Sequence, residues 1–296
     1  MYKKIEEYLI QLKRELSGSD PALIQDALSD AEEHFRTALE EVLERDPDLS
    51  EGAALQSMIE KYGMPAEIAT AYKEIESRIL PTLAIQQPQV SQAFWAKFFG
   101  VATDARTWGA FLYILLSGLT AIVFGMWALL GGAVSLFSLV LIIGIPVTGL
   151  FLLSLRGIAL MEGRIIEALL GIRMPRKPIF LSKGLNWRKK YKALTIEAYT
   201  WKVFAYMIVH FPLGLACFMI VLVMLGLSIK FALYPVWYWG LGRPLITFSQ
   251  PLYPPAWSYP LVSAAGILMI FLTLHLAKFL GKIHGRFAKS MLVRKQ

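Results

Sequence analysis

The sequence predicts an all-α chain in which a small soluble helical domain precedes a polytopic membrane domain of four transmembrane helices arranged as two pseudo-repeats. Three observations predict it. Hydrophobic residues make up 56% of the 296 positions, and they gather into four apolar runs, each long enough to cross a bilayer. Eighteen of the twenty-two acidic residues lie between Glu6 and Glu76, ahead of all four runs. Two runs also open alike. Thr107-Trp108 leads to Phe111 and Tyr113, and Thr200-Trp201 leads to Phe204 and Tyr206 at one common offset, which marks an internal duplication.

Charge separates the two parts. Through Arg78, nine basic residues against eighteen acidic ones give −9; beyond it, twenty-one against four give +17. A basic chain raises nucleic acid as a partner, but these basic residues sit beside apolar runs, where the positive-inside rule accounts for them. Nucleic-acid binding is therefore not expected. The single cysteine, Cys217, lies within an apolar run, and a chain with one cysteine forms no internal disulfide. Lys3, Lys4, Glu6, Glu7, Lys13, Arg14 and Glu15 interrupt any leader-like apolar core. The acidic segment is thus expected to stay in the cytoplasm.

Residues 1–80 read as the acidic helical domain. Ile5, Tyr8, Leu9, Leu12 and Leu16 recur at helical spacing. Asp20-Pro21 supplies a cap and a proline at the first helical position. The helix it opens carries a stripe of Ile24, Ala27, Leu28, Ala31, Phe35, Ala38, Leu39 and Val42, and Asp46-Pro47 ends it. A third helix spans Ser50 to Tyr62 and stops at Gly63, a left-handed cap. Pro65 starts a fourth with Ile68, Ala69, Tyr72 and Ile75. Glu32, Glu33 and His34 read as a solvated face rather than a metal site, because ligands must converge from more than one turn.

Residues 81–99 form a Gln- and Pro-containing linker and an interfacial segment with Phe94, Trp95, Phe98 and Phe99. The membrane domain is expected over 100–282, with a basic cytoplasmic tail at 283–296. Its first span, 109–130, measures ~33 Å at helical rise. Gly131-Gly132 permits a turn, and Val134–Leu155 returns with Gly144 and Pro146 inside. The third span, 202–228, contains Pro212 as a kink, and the fourth covers 261–280. Lys and Arg crowd the connection after the second span and the C-terminus, whereas the third connection holds Lys230 and Arg243. Both termini are therefore expected inside a bacterial cytoplasmic membrane. Ile158 to Leu170 reads as an amphipathic helix on the inner leaflet. The patch Arg173, Arg176, Lys177, Arg188, Lys189 and Lys190 suits anionic lipid headgroups, or the acidic domain tethered nearby.

The candidate ligand-binding residues fall in two places. Tyr234, Trp237, Trp239 and Trp257 crowd the outer connection, either as an aromatic lid over a lipophilic or cationic molecule or as an interfacial belt. His210 and His275 lie inside spans, where ionisable groups are functional candidates. They could face each other as a haem or metal pair. Alternatively, His210 satisfies a carbonyl freed by Pro212 and His275 is interfacial. No nucleophile–base pairing or phosphate loop is present, so no enzyme, metal or cofactor is expected.

Two resemblances extend this reading. Tyr8-Leu9 with Leu12, Ala31-Glu32-Glu33-His34 and Lys61-Tyr62-Gly63-Met64-Pro65-Ala66-Glu67-Ile68-Ala69 resemble the HAAS domain and permease-prefix domains of bacterial membrane proteins. That resemblance implies a regulatory module docking a cytoplasmic partner, such as a PadR-like transcriptional regulator or a kinase. Thr107-Trp108, Leu112-Tyr113, Gly144-Ile145-Pro146, Arg156-Gly157, Glu162-Gly163-Arg164 and Leu169-Leu170-Gly171 resemble the duplicated four-span "putative sensor" domain. Thr200-Trp201, Phe211-Pro212-Leu213-Gly214, Tyr234-Pro235 and Trp237-Tyr238-Trp239 do so for the second half. The implied function is an inner-membrane sensor of an envelope or lipophilic signal, with output through the N-terminal domain, since the chain ends soon after its fourth span. An accessory subunit or component of a transporter is the alternative. The assembly state is open, a homo-oligomer included.

Overall fold

A computed structural model describes residues 4–46, 50–78, 94–140, 144–177, 191, 194–247 and 251–294. The chain is all-helical: an N-terminal helical region and four long apolar helices able to span a membrane. The helices are α1 (Ile5–Glu15), α2 (Pro21–Arg45), α3 (Glu51–Tyr62), α4 (Pro65–Arg78), α5 (Phe94–Phe99), α6 (Ala105–Ser138), α7 (Gly144–Leu170), α8 (Ala198–Ala232), α9 (Tyr234–Leu241) and α10 (Tyr259–Leu292). A minimal antiparallel pair, β1 (Ile246–Thr247) and β2 (Pro251–Leu252), lies between α9 and α10 with Ile246 opposite Leu252. The chain folds as two compact units. The first comprises Met1–Ile85, Met126–Ile208 and Phe287–Gln296; the second comprises Gln86–Gly125 and Val209–Arg286.

The N-terminal helices begin and end where capping chemistry places them. Asp20 accepts the Ala22 amide at 2.9 Å with Pro21 at the first turn, and Ser50 caps α3 through Ala53. Gly63, at φ 113°, closes α3 in a conformation that side-chain-bearing residues rarely adopt. Its carbonyl accepts from the Tyr8 hydroxyl at 2.9 Å, which ties the α3–α4 corner to α1. The Glu67 carboxylate takes the Met64 amide at 2.9 Å. Tyr8, Leu12, Leu16, Phe35, Leu55 and Ile59 fill the core, with the Tyr8 and Phe35 rings edge to face at 4.7 Å. In the Glu32-Glu33-His34 stretch, Glu33 and His34 are exposed; His34 stacks on Tyr62 at 4.5 Å and Glu32 pairs with Arg36.

Three span boundaries differ from the expectation. α6 runs through Gly131-Gly132 to Ser138 instead of turning there. A Cβ on Gly131 would meet the Phe151 ring at 2.5 Å, and Gly132 faces the Phe204 ring, so this glycine pair makes room for aromatic neighbours. The second long helix starts at Gly144 and continues to Leu170, absorbing the predicted amphipathic helix. It passes through Arg156 because that side chain is buried and paired. α10 likewise continues to Leu292 through the segment expected to be a tail, with Ala288, Leu292 and Val293 buried.

Helix direction differs as well. In the second unit Gly118 faces Phe218, Gly125 faces Phe211, and Ala121 faces Gly214, so α6 and α8 run antiparallel. The heptad spacing of the two glycines matches that of the two rings. A chain crossing a membrane four times in strict alternation would run its first and third spans in one direction. In the first unit α7 and α8 run parallel, with Arg156 at Thr200 and Glu162 at Tyr206, each pair 44 residues apart.

Candidate functional site

Polar side chains concentrate within the apolar helices in a pattern that the duplication repeats. In the first unit Arg156 of α7 donates to Glu197 at 2.5 Å and to Thr200 at 2.7 Å, and its guanidinium lies 5.8 Å from the Tyr199 ring centroid. Arg294 donates to the other Glu197 oxygen at 3.1 Å. Six residues along α7, Glu162 accepts from the Tyr206 hydroxyl at 3.3 Å. The second unit builds the counterpart. Lys278 of α10 donates to Asp104 at 2.5 Å, and the His284 ring meets the Tyr113 ring edge-on at 5.4 Å. Asp104 and Tyr113 stand 93 residues before Glu197 and Tyr206, the offset that also separates Thr107 from Thr200. The Trp108 and Trp201 indoles repeat it, each donating to the carbonyl six residues back, Ala102 at 2.7 Å and Thr195 at 2.8 Å.

His210 belongs to the second of these arrangements. Its Nδ1 lies 2.9 Å from His284 Nε2, and its Nε2 lies 3.2 Å from the Thr120 hydroxyl. All three side chains are buried. His210 and His275, which could have faced each other, have separate partners. His275 donates from Nε2 to the Phe98 carbonyl at 3.1 Å and stacks on the Phe98 ring. His210 bonds the Thr120 and His284 side chains. An imidazole pair already in hydrogen-bond contact has no room for an iron between its nitrogens.

Among the described outer aromatic residues, Tyr234, Tyr238, Tyr253, Tyr259 and Trp239 form a chain of ring contacts. Trp237, Trp239 and Trp257 are 42%, 76% and 75% exposed, whereas Tyr234 is buried with Leu245 and Tyr259.

The strongest electrostatic junction lies in the first unit, where the segment after α7 meets the N-terminal helices. Arg173 is buried and donates to Asp26 at 2.7 Å and to Glu76 at 2.6 Å. The backbone N–H groups of Arg176 and Lys177 reach the same Asp26 carboxylate at 2.8 and 3.0 Å. The Arg176 side chain holds Glu167 of α7 at 2.7 Å, and Lys177 pairs with Asp30, which also accepts from the Tyr72 hydroxyl. Farther along, Lys289 donates to Asp20 at 2.5 Å and the Arg294 amide to Gln25 at 2.8 Å. Burial disfavours charge on Asp30, but hydrogen bonds from Lys177 and Tyr72 outweigh it and hold the carboxyl below its usual range. Burial likewise opposes the Arg173 charge, and the bonds to Asp26 and Glu76 overcome it, raising that pKa.

Arg173, Arg176 and Lys177 therefore face carboxylates within this unit, while Arg188, Lys189 and Lys190 lie outside the described residues. Sequence reasoning missed Asp26, Glu76, Glu167, Glu197 and His284. Two signals carried part of the answer. His284-Gly285-Arg286 repeats Glu162-Gly163-Arg164, which marks 284 as the counterpart of 162. Ala22, Leu23, Gln25, Asp26 and Ser29 add a second buried face to α2.

No curated protein and no solved structure matches the chain. Residues 113–292 match the family model described as "Putative sensor", a stretch that takes in most of both halves of the duplication. With four membrane-length apolar helices and more than half of its length matched, the chain belongs to the "Putative sensor" family.

Proposed function

We propose that this membrane protein is a non-enzymatic sensor and regulator of the bacterial cytoplasmic membrane. Its spans detect an envelope or lipophilic signal, and its N-terminal helices, a HAAS-type domain, relay that signal to a cytoplasmic partner such as a transcriptional regulator. The observation that carries this reading is the buried bridge from Arg173 to Asp26 and Glu76. It ties the N-terminal helices to the residues directly after α7, so a change in α7 packing reaches them without a flexible intermediary. Arg156 gives α7 its own link to the start of α8 through Glu197 and Thr200. A signal that favours one packing of these helices would then reposition the acidic region.

The test is recovery of the partner. Deleting residues 1–80 should leave membrane insertion intact and abolish recovery of cytoplasmic proteins in pull-downs; undiminished recovery would refute the relay. Placement of the N-terminal helices in the cytoplasm is checked by protease digestion of outer-membrane-permeabilised cells, in which those helices should stay protected.

A second reading, an accessory subunit or component of a transporter, is favoured by the antiparallel α6 and α8. Repeats of opposed direction recur in transport proteins. Substrate uptake by the purified protein in liposomes would support it.

A further inference from the structure

The segment Gly171–Lys177 leaves α7 without helical structure and is shaped around a carboxylate. Asp26 takes a guanidinium N–H from Arg173 at 2.7 Å and the successive backbone N–H groups of Arg176 and Lys177 at 2.8 and 3.0 Å. Two adjacent amides and one guanidinium N–H form an anion-binding nest. Four carboxylates surround its three cations. Asp26, Asp30 and Glu76 come from the N-terminal helices, and Glu167 comes from α7.

Lifting the N-terminal helices away would leave Arg173, Arg176 and Lys177 against Glu167 alone, with two amides vacated. Arg173, the buried one of the three, would lose Asp26 and Glu76, and another anion in the place of Asp26 offsets that loss. A phosphate group meets the same requirement, since its oxygens accept both from an arginine fork and from consecutive amides. The segment also begins directly after Gly144–Leu170, a helix long and apolar enough to span, which sets it at headgroup depth.

We propose that residues 171–177 are a strap for which the acidic N-terminal helices and a phosphate group, that of an acidic phospholipid headgroup, compete, so that phosphate occupancy releases the helices. Phosphate shifts the equilibrium because it binds the undocked strap, while Asp26 fills the docked one. Release is a property of the strap itself; its use as a signal rests on the relay reading above.

The experiment uses the full chain with Cys217→Ser and spin labels at Glu60→Cys on α3 and Met161→Cys on α7, both exposed positions away from the strap. Label distances are read in phosphatidylcholine vesicles, in vesicles with rising phosphatidylglycerol, and in phosphatidylcholine vesicles with millimolar inorganic phosphate. A narrow distribution in phosphatidylcholine should give way to a second, longer component as phosphatidylglycerol rises. Asp30→Asn, which weakens docking while leaving the nest intact, should lower the phosphatidylglycerol fraction at half release about threefold. Release by inorganic phosphate as well assigns the effect to phosphate in general, and release by phosphatidylglycerol alone assigns it to the headgroup. An unchanged distribution in both arms overturns the proposal. Lost release with partner recovery intact sinks the strap alone; lost recovery with release intact sinks the relay alone.

Discussion

Arg156 and Glu197 meet at 2.5 Å, and Lys278 and Asp104 meet at the same distance at the positions equivalent under the duplication. In each case a basic residue on the second long helix of one repeat holds the acidic residue just before the first long helix of the other. The pairs differ in environment. Arg156 and Glu197 are 7% and 19% exposed, Lys278 and Asp104 46% and 33%. Desolvation makes the first pair the more consequential one to break.

Arg156→Met should therefore destabilise the protein by about 3 kcal/mol, because it strands a poorly solvated carboxylate with Arg294 as its remaining cation. Arg156→Met with Glu197→Met should cost less than the single change. Thermal unfolding in detergent, followed by tryptophan fluorescence, measures both. A double variant less stable than the single one contradicts this account.

Gly118→Ala should cost about 1–3 kcal/mol, since its new methyl would sit 2.5 Å from the Phe218 ring on the facing helix. Phe218→Leu in the same chain should restore part of the loss. Gly226→Ala is the control: nothing lies within 4 Å of its Cβ position, so better helix propensity should leave stability equal or slightly higher. Equal effects at 118 and 226 would rule out the knob-and-notch account of α6 and α8.

Acid should loosen the N-terminal helices through Asp30. Its carboxyl is held below the ordinary value of 3.8 in the folded chain. The stabilisation is thus fully present above that value and is lost as pH falls through the lower folded one. Near-UV circular dichroism should show loosening that begins below about pH 4, and Asp30→Asn should flatten that part of the profile. On the alkaline side, burial and the Asp30 charge push Tyr62 up from 10.0 to about 12. Its contribution is present below the ordinary tyrosine range and is lost as pH rises through the folded value. A tyrosinate absorbance titration should accordingly show Tyr62 ionising late.

His284→Leu should destabilise more than His275→Leu. The first removes the bond to His210 inside the buried cluster, by about 1–3 kcal/mol, whereas the second releases a half-buried carbonyl contact. Melting temperatures of the two variants decide the order.

Local chemistry was legible in the sequence, and long-range pairing was not. Asp20-Pro21 and Gly63 fixed the ends of α2 and α3 because capping is set by a few adjacent residues. Gly131-Gly132 misled because a turn and a packing notch look the same along a chain; Phe151 and Phe204, which decide between them, stand far away. Arg156 looked like a membrane exit because its partner Glu197 lies 41 residues on. Arg173 and Lys177 looked ready for lipid because nothing local announces Asp26 and Asp30. His284 was readable only through its repeat counterpart, Glu162.

The rings of Phe211 and Phe218 occupy gaps left by Gly125 and Gly118, and the repeat of both sets is seven residues. Sliding α6 past α8 by less would drive a benzyl group into a bulkier neighbour; the next matching position is about 10.5 Å away. Such a pair does not creep. Travel between these two rods is quantised, which leaves tilting or separation as the motions open to a graded stimulus.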